Sequence, residues 1–517
     1  MPKIIIKNFI FTKKRILILL AIFLVFSASG ALTYLFLSNG KDIIREVPPK
    51  GMTFEVTVPR NTPEGDTVHI YLHNQNHYKM DKVGDYKYSI SLSEDKLQPT
   101  EGKVKYRYSR NGYDFRTAEY LEPDTDDYFW TEKGRSTVYK QAFTQRDVVK
   151  RWRWFPEDST PNVRTTTLEP QDDFLKRVGG QEFMSGQIIE DLYNEVFRDF
   201  FDSTAKHMKN IGYKLAEIDP PQQLVEENGL PRVRNLIDKN PNYPDDMTLK
   251  EEILAYKKQG LKVMLAPQLC CETLNTKNRN KKWWDAYFAE VTKFLAHYAK
   301  IAESTGVDYF HYAVGVDYQE KDYTQRWSSV FKEVRKYYKG RVGEMVWNLG
   351  SEPAIIPDAK YISWGNELDY FYVAIDHPIS SKDSPTDDEL KQGAAKMLDG
   401  VKELYDRYKK PVFVRTTYFN VKNTWKGNSF YSISSVPWVS EPESKIKATK
   451  YEWNTEDLAR VVNAYFEATS EKPWIFGYAQ FGYTHWENPL ATELSVRGKP
   501  AEDIWRKWNN TIFKTKL

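Results

Sequence analysis

Several acids in this chain stand where an apolar run ends. The stretch YFHYAVGVDYQ (309–319) alternates aromatic and small apolar residues before it reaches Gly315, Val316 and Asp317. DYFYVAI (369–375) runs into Asp376. Glu217 and Asp219 come at and just after the end of YKLAEI (213–218), Glu272 follows KVMLAPQL (262–269), and Glu487 follows PWIFGYAQF (473–481). Two carboxyl groups facing one bond can hydrolyse a glycoside: one protonates the leaving oxygen, the other attacks the sugar or activates water. Carboxyls about 5 to 5.5 Å apart retain the anomeric configuration, and those roughly 6.5 to 9.5 Å apart invert it. A lone loop acid serves equally well as a helix cap or a salt-bridge partner. Position in the fold must therefore select among them.

From about Asp172 the chain alternates apolar runs with segments whose apolar residues lie three and four apart, the spacing of a buried helix face. Eight runs read as strands: EFMSG (182–186), YKLAEI, KVMLAPQL, YFHYAVGV (309–316), RVGEMVWNL (341–349), DYFYVAI, PVFVRTTY (411–418) and PWIFGYAQF. Helical segments such as DAYFAEVTKFLAHYAKIAEST (285–305) and RWSSVFKEVRKYYKG (326–340) lie between most of them. Non-alternating apolar strands suit parallel pairing with both faces covered. Eight of them predict a (β/α)8 TIM barrel over residues 181–512. Barrel sites form at the C-terminal ends of the strands, and the acids above would stand there.

Upstream the rhythm differs. MTFEVTV (52–58), VHIYL, YKYSISL and VKYRYS read as short strands, with RNTPEGD as a turn. They predict a β-sandwich over residues 51–155, joined to the barrel by a connecting segment at 156–180. FEVTVPRNTPEGDTVHIYLHN (54–74), YKYSISL, KVKYRYSRNGYDFRTAEY (103–120) and DVVKRWR (147–153) resemble the starch-binding domains of carbohydrate-binding module family 20. The resemblance implies an α-glucan ligand stacked on two aromatics. Tyr113, after Arg110-Asn111-Gly112, matches one of them, and Glu119 matches the acid that follows. HNQNHYKM offers Tyr78 or His77 for the other. A sandwich that keeps the fold without the sugar site is the alternative.

The later region resembles clan-A retaining glycoside hydrolases, most of all glycoside hydrolase family 113, the mannanase-type barrels. The similarity is clearest in strand order, VMLAPQL, VRKYYKGRV and VRGKPAEDIWRKW. The fourth strand of that family ends in Gly-x-Glu, with Glu as acid/base, and Gly315-Val316-Asp317 places Asp317 at that position. The family's nucleophile is a Glu ending strand seven, where this chain has Arg415, Thr416 and Thr417. Threonine without an activating base is a poor nucleophile. The family mechanism does not carry over intact, and the expected pair becomes Asp317 as acid with Asp376 as base, with inversion. Trp347, Tyr418, Tyr483, His485 and Trp486 are candidate rim aromatics, with Trp486 expected exposed as a sugar platform. Gln268 and Asn348 are expected to bond sugar hydroxyls.

The N-terminus bears on location. Lys3, Lys7, Lys13, Lys14 and Arg15 (within residues 1–15) precede an uncharged apolar run at 16–37, long enough to cross a bilayer, with a linker at 38–50. The basic flank predicts a single-pass anchor with the folded portion extracellular. A cleaved signal peptide ending near Ala28-Ser29-Gly30 is the alternative and also exports the protein. Net charge is only +3, so nucleic acid is not an expected partner. Cys270 and Cys271 are adjacent, which offers neither a disulfide framework nor zinc spacing. No metal or organic cofactor is expected. Two functions stay open: a polysaccharide hydrolase, or a non-catalytic carbohydrate-binding protein whose barrel has lost its nucleophile.

Overall fold

The computed structural model describes residues 50–73, 76–112, 117–122, 134–157, 165–170, 174–189, 195–235, 245–270, 279–313, 324–347, 364–427 and 452–513. The expected membrane anchor, Tyr113, Glu272, Asp317 and Asn348 lie outside these residues. Among the described residues, no helix is long and apolar enough to cross a membrane.

Eight short strands come first: β1 (Gly51–Thr57), β2 (Val68–Leu72), β3 (His77–Lys79), β4 (Asp81–Gly84), β5 (Lys87–Ser93), β6 (Lys103–Arg110), β7 (Arg135–Val138) and β8 (Phe143–Val148). They form two four-stranded sheets, ordered β4-β5-β1-β8 and β3-β2-β6-β7. Alternate residues from both sheets, among them Phe54, Val56, Ile70, Leu92, Tyr106 and Tyr108, meet in one buried cluster closed by Trp152. This is the period-two patterning expected where one face of each sheet is buried.

The second unit is a closed barrel of eight parallel strands. In chain order its members are β9 (Met184–Ile189), β10 (Leu215–Ile218), β13 (Lys262–Leu265), β15 (Tyr309–Ala313), β16 (Arg341–Trp347), β17 (Tyr370–Ile375), β18 (Val412–Thr416) and β19 (Ile475–Tyr483). All eight expected runs contribute a strand. Their outward residues pack on helices, as Phe371, Val373 and Ile375 do in β17, while Tyr370 and Tyr372 join the interior cluster with Met184, Tyr309, Phe413 and Phe476. Rings of this size need room. A Cβ at Gly343 would collide with the Tyr370 ring, and one at Gly477 with Phe413, so these glycines let aromatics fill the interior.

One expected strand is divided. KVMLAPQL enters the barrel only as far as Leu265, and Gln268–Cys270 (β14) joins β11 (Pro221–Glu227) and β12 (Leu230–Arg234) in a small sheet beyond the strand ends. Pro267 has no N–H to give the barrel ladder, which explains the break. The helix Lys281–Thr305 shows how the connections are fixed: Asn280 caps its first turn by accepting from the Trp283 N–H, and Gly306 ends it at φ 68°.

The two units are joined by hydrogen bonds from a buried arginine. Arg110, at the end of β6, is fully buried and pairs with Asp66. It also donates to the Glu487 carbonyl and to Asn488 Oδ1, both at 2.9 Å, in the segment after β19. Its guanidinium lies 4.1 Å from the centre of the Phe155 ring. Nearby, the Leu490 N–H bonds the Trp154 carbonyl at 3.0 Å.

Candidate active site at the barrel mouth

Strand alternation selects which side chains reach the mouth. On β10 the inward positions are Leu215 and Glu217, followed by Asp219. On β15 they are Tyr309 and His311, on β17 Tyr370 and Tyr372, and on β18 Phe413 and Arg415. A polar cluster thus sits above an apolar plug. Tyr372 donates to Glu217 Oε2 at 2.8 Å and stacks on His311, with ring centres 4.1 Å apart. His311 Nε2 lies 3.6 Å from Glu217 Oε1. Asp219 accepts from Gln268 Nε2 at 2.6 Å. Arg415, 4% exposed, lies over Phe481 with 4.2 Å to the ring centre.

Burial decides the protonation of this cluster. Desolvation, then the neighbouring Asp219 charge, pushes the Glu217 carboxyl well above its ordinary value, and the Arg415 charge opposes this only in part. Burial and then the Arg415 charge hold His311 down at about 3. At neutral pH His311 is therefore uncharged, and the Glu217–His311 approach is not an ion pair. Asp219 and Arg415 stand beside this pair at the mouth.

The end of β18 has no acid. Thr416 is fully buried and bonds Gln480 Oε1 at 2.7 Å and the Tyr478 hydroxyl at 3.1 Å. Its hydroxyl is held by neutral groups, none of which is a base strong enough to activate it. Asp376 directly follows β17, 32% exposed, with His377 Nδ1 at 3.1 Å. Asp317 lies outside the described residues.

Several expected sugar contacts are placed elsewhere. Trp486 is 2% exposed and packs with Phe197 and Phe201, so it is a core residue and not an exposed platform. Tyr418 is fully buried; its hydroxyl donates to the His377 carbonyl at 2.6 Å and meets Tyr465 at 3.0 Å. Tyr483 and His485 are buried as well. Glu119 is fully buried, accepts from the Tyr108 N–H at 3.0 Å and pairs with Arg135 at 2.8 Å, which makes it an anchor of the β6–β7 sheet. Tyr78 lies on β3, half-buried, with Lys96 Nζ 5.5 Å from its ring centre. Gln268 does reach the mouth, as Asp219's partner.

The roles of His311 and Tyr372 were not read from the sequence. The available signal was a polar residue at an inward position of a strand buried on both faces, as His311 is in YFHYA. Among the described residues, no three His, Cys, Asp or Glu groups are placed to hold a metal ion.

An eight-stranded parallel barrel with a polar cluster at its C-terminal strand ends is a (β/α)8 barrel of the TIM type, with its site in the usual place. Residues 232–499, just over half the chain, match the model of Glycoside Hydrolase Family 113, and the chain belongs to that family. Among solved structures, a GH113 β-1,4-mannanase is 19% identical with TM-score 0.50, covering 64% of this chain and 99% of its own. The GH113 β-mannanase AaManA from Alicyclobacillus acidocaldarius, in complex with ManMIm, is 16% identical with TM-score 0.50, covering 64% of this chain and 98% of its own. At such identities the likeness shows the fold. No curated protein sequence matches the chain.

Proposed function

We propose that this protein is an exported glycoside hydrolase-like protein that takes a polysaccharide at the mouth of its barrel and cleaves it with inversion. Asp317 is the general acid and Asp376 the base. The observation that carries this reading is the end of β18, where Thr416 is buried among neutral partners and the strand supplies no carboxylate for a retaining nucleophile. Asp376 stands one strand away at the same end of the barrel, partly open to solvent, which supports its reading as the water-activating base. Because the solved relatives are β-mannanases, β-1,4-mannan is the first substrate to test. The N-terminal unit is read as a starch-binding-type sandwich that holds an α-glucan through Tyr113 and Tyr78. Residues 16–37 are read as the membrane anchor, with both folded units outside the cell.

The second reading rests on the same missing carboxylate: a barrel that binds glycan without cleaving it. The two separate experimentally. Reducing sugar released from a panel of β-mannans and α-glucans establishes hydrolysis, and NMR of the fresh product gives the anomer. Asp317→Asn and Asp376→Asn are each expected to lower hydrolysis by about 10²- to 10⁴-fold while glycan binding persists. A retained anomer would refute the Asp317–Asp376 scheme. Glycan binding with no cleavage of any substrate by the wild type would establish the binding protein instead.

A further inference from the structure

A cavity of about 690 Å³ lies where the two units meet, away from the barrel mouth. One wall comes from the β1–β2 loop and the β4–β5 turn, the other from the helices Phe201–Ile211 and Pro500–Phe513 and the segment after β19. Its size falls within the ordinary range of small-molecule sites, which favour such junctions. The walls are fixed in place by the Arg110 contact and by the Leu490–Trp154 backbone bond.

The lining says what would fit. Basic and acidic side chains line it in near-equal number, among them Arg60, Lys82 and Arg506 beside Glu64, Asp85 and Asp503, so neither charge sign prevails. A strongly anionic or cationic ligand would meet repulsion from half of these groups, whereas a neutral molecule rich in hydroxyls can both donate and accept. Asn61 is 7% exposed; its amide nitrogen donates to the Pro156 carbonyl at 2.9 Å, while its Oδ1 has no hydrogen-bond partner. Tyr86, at the tip of the β4–β5 turn, is 36% exposed and has φ 56°. A bulky residue in the left-handed region is uncommon; here the turn joining β4 to β5 demands it, and the ring stands at the cavity edge. Such a face can stack on a sugar ring.

We infer that this interdomain cleft is a second carbohydrate site, taking a short neutral oligosaccharide and complete only when both units are docked. The choice of ligand rests on the polysaccharide reading above; the site itself does not use the barrel mouth. The test is calorimetric titration of the full chain in detergent with mannotriose and with maltotriose. Tyr86→Gly removes the ring and relieves the backbone strain, so the variant should fold at least as well as wild type. It should nevertheless weaken binding of one of these sugars at least tenfold. Equal affinity of wild type and Tyr86→Gly for both sugars overturns the inference, as does failure of the wild type to bind either. If polysaccharide is cleaved while neither trisaccharide binding responds to Tyr86→Gly, the cleft alone fails. A Tyr86-dependent site in a protein that neither cleaves nor otherwise binds polysaccharide would leave the cleft standing and remove the mouth reading.

Discussion

Replacing Glu217 by Gln tests the electrostatics of the mouth directly. Glu217 is fully buried, and desolvation with the Asp219 charge raises its carboxyl above the ordinary 4.5. The folded protein therefore keeps a proton that the unfolded chain releases once pH exceeds that ordinary value. Stability from this group is complete below the unfolded pKa and is lost as pH climbs toward the raised one, by up to about 1.4 kcal/mol per pH unit. Glutamine does not titrate, has nearly the same shape and still accepts from the Tyr372 hydroxyl. Urea unfolding of wild type and Glu217→Gln across pH 5 to 8, followed by tryptophan fluorescence, should show the variant gaining on wild type as pH rises above the ordinary carboxylate value, and levelling off once the raised one is passed. Two units of pH inside this window correspond to roughly 2.7 kcal/mol. Parallel curves would refute the argument. A wild type that gains on the variant as pH rises would show Glu217 to be an ionised, paired group.

Three further outcomes follow from packing. Trp486→Ala should cost about 3 to 5 kcal/mol in stability, measured by denaturant unfolding, because Trp486 fills a cluster with Phe197 and Phe201; the folded fraction should keep its polysaccharide binding. Arg110→Met should destabilise by about 3 to 5 kcal/mol, since Asp66 is left as an uncompensated, largely buried charge and Asn488 loses its donor, and limited proteolysis should then separate the two units more readily. Gly343→Ala should cost about 1 to 3 kcal/mol, read from the same unfolding curves, as the new Cβ forces the Tyr370 ring from its place in the barrel.

The sequence by itself determined the barrel. Runs such as DYFYVAI must be buried on both faces, and helices with apolar residues three and four apart cover them, so strand number and order follow from local pattern. It also determined that β18 ends without an acid, because Arg415, Thr416 and Thr417 are fixed by their identity. Tertiary structure decided which polar groups meet. Glu217 and Asp219 were visible as acids around a strand end, but their grouping with His311, Tyr372, Gln268 and Arg415 depends on three other barrel strands and a rim strand curving them to one axis. Exposure was likewise beyond the sequence: Trp486 and Tyr418 sit in polar, loop-like stretches, yet both are covered by chain distant in sequence. Arg110, beside a motif that resembles a sugar site, instead joins the two units, for its partners Glu487 and Asn488 lie more than three hundred residues away. Periodicity reports which face of an element is buried. It carries no information on which other element buries it, and that is what sets a site.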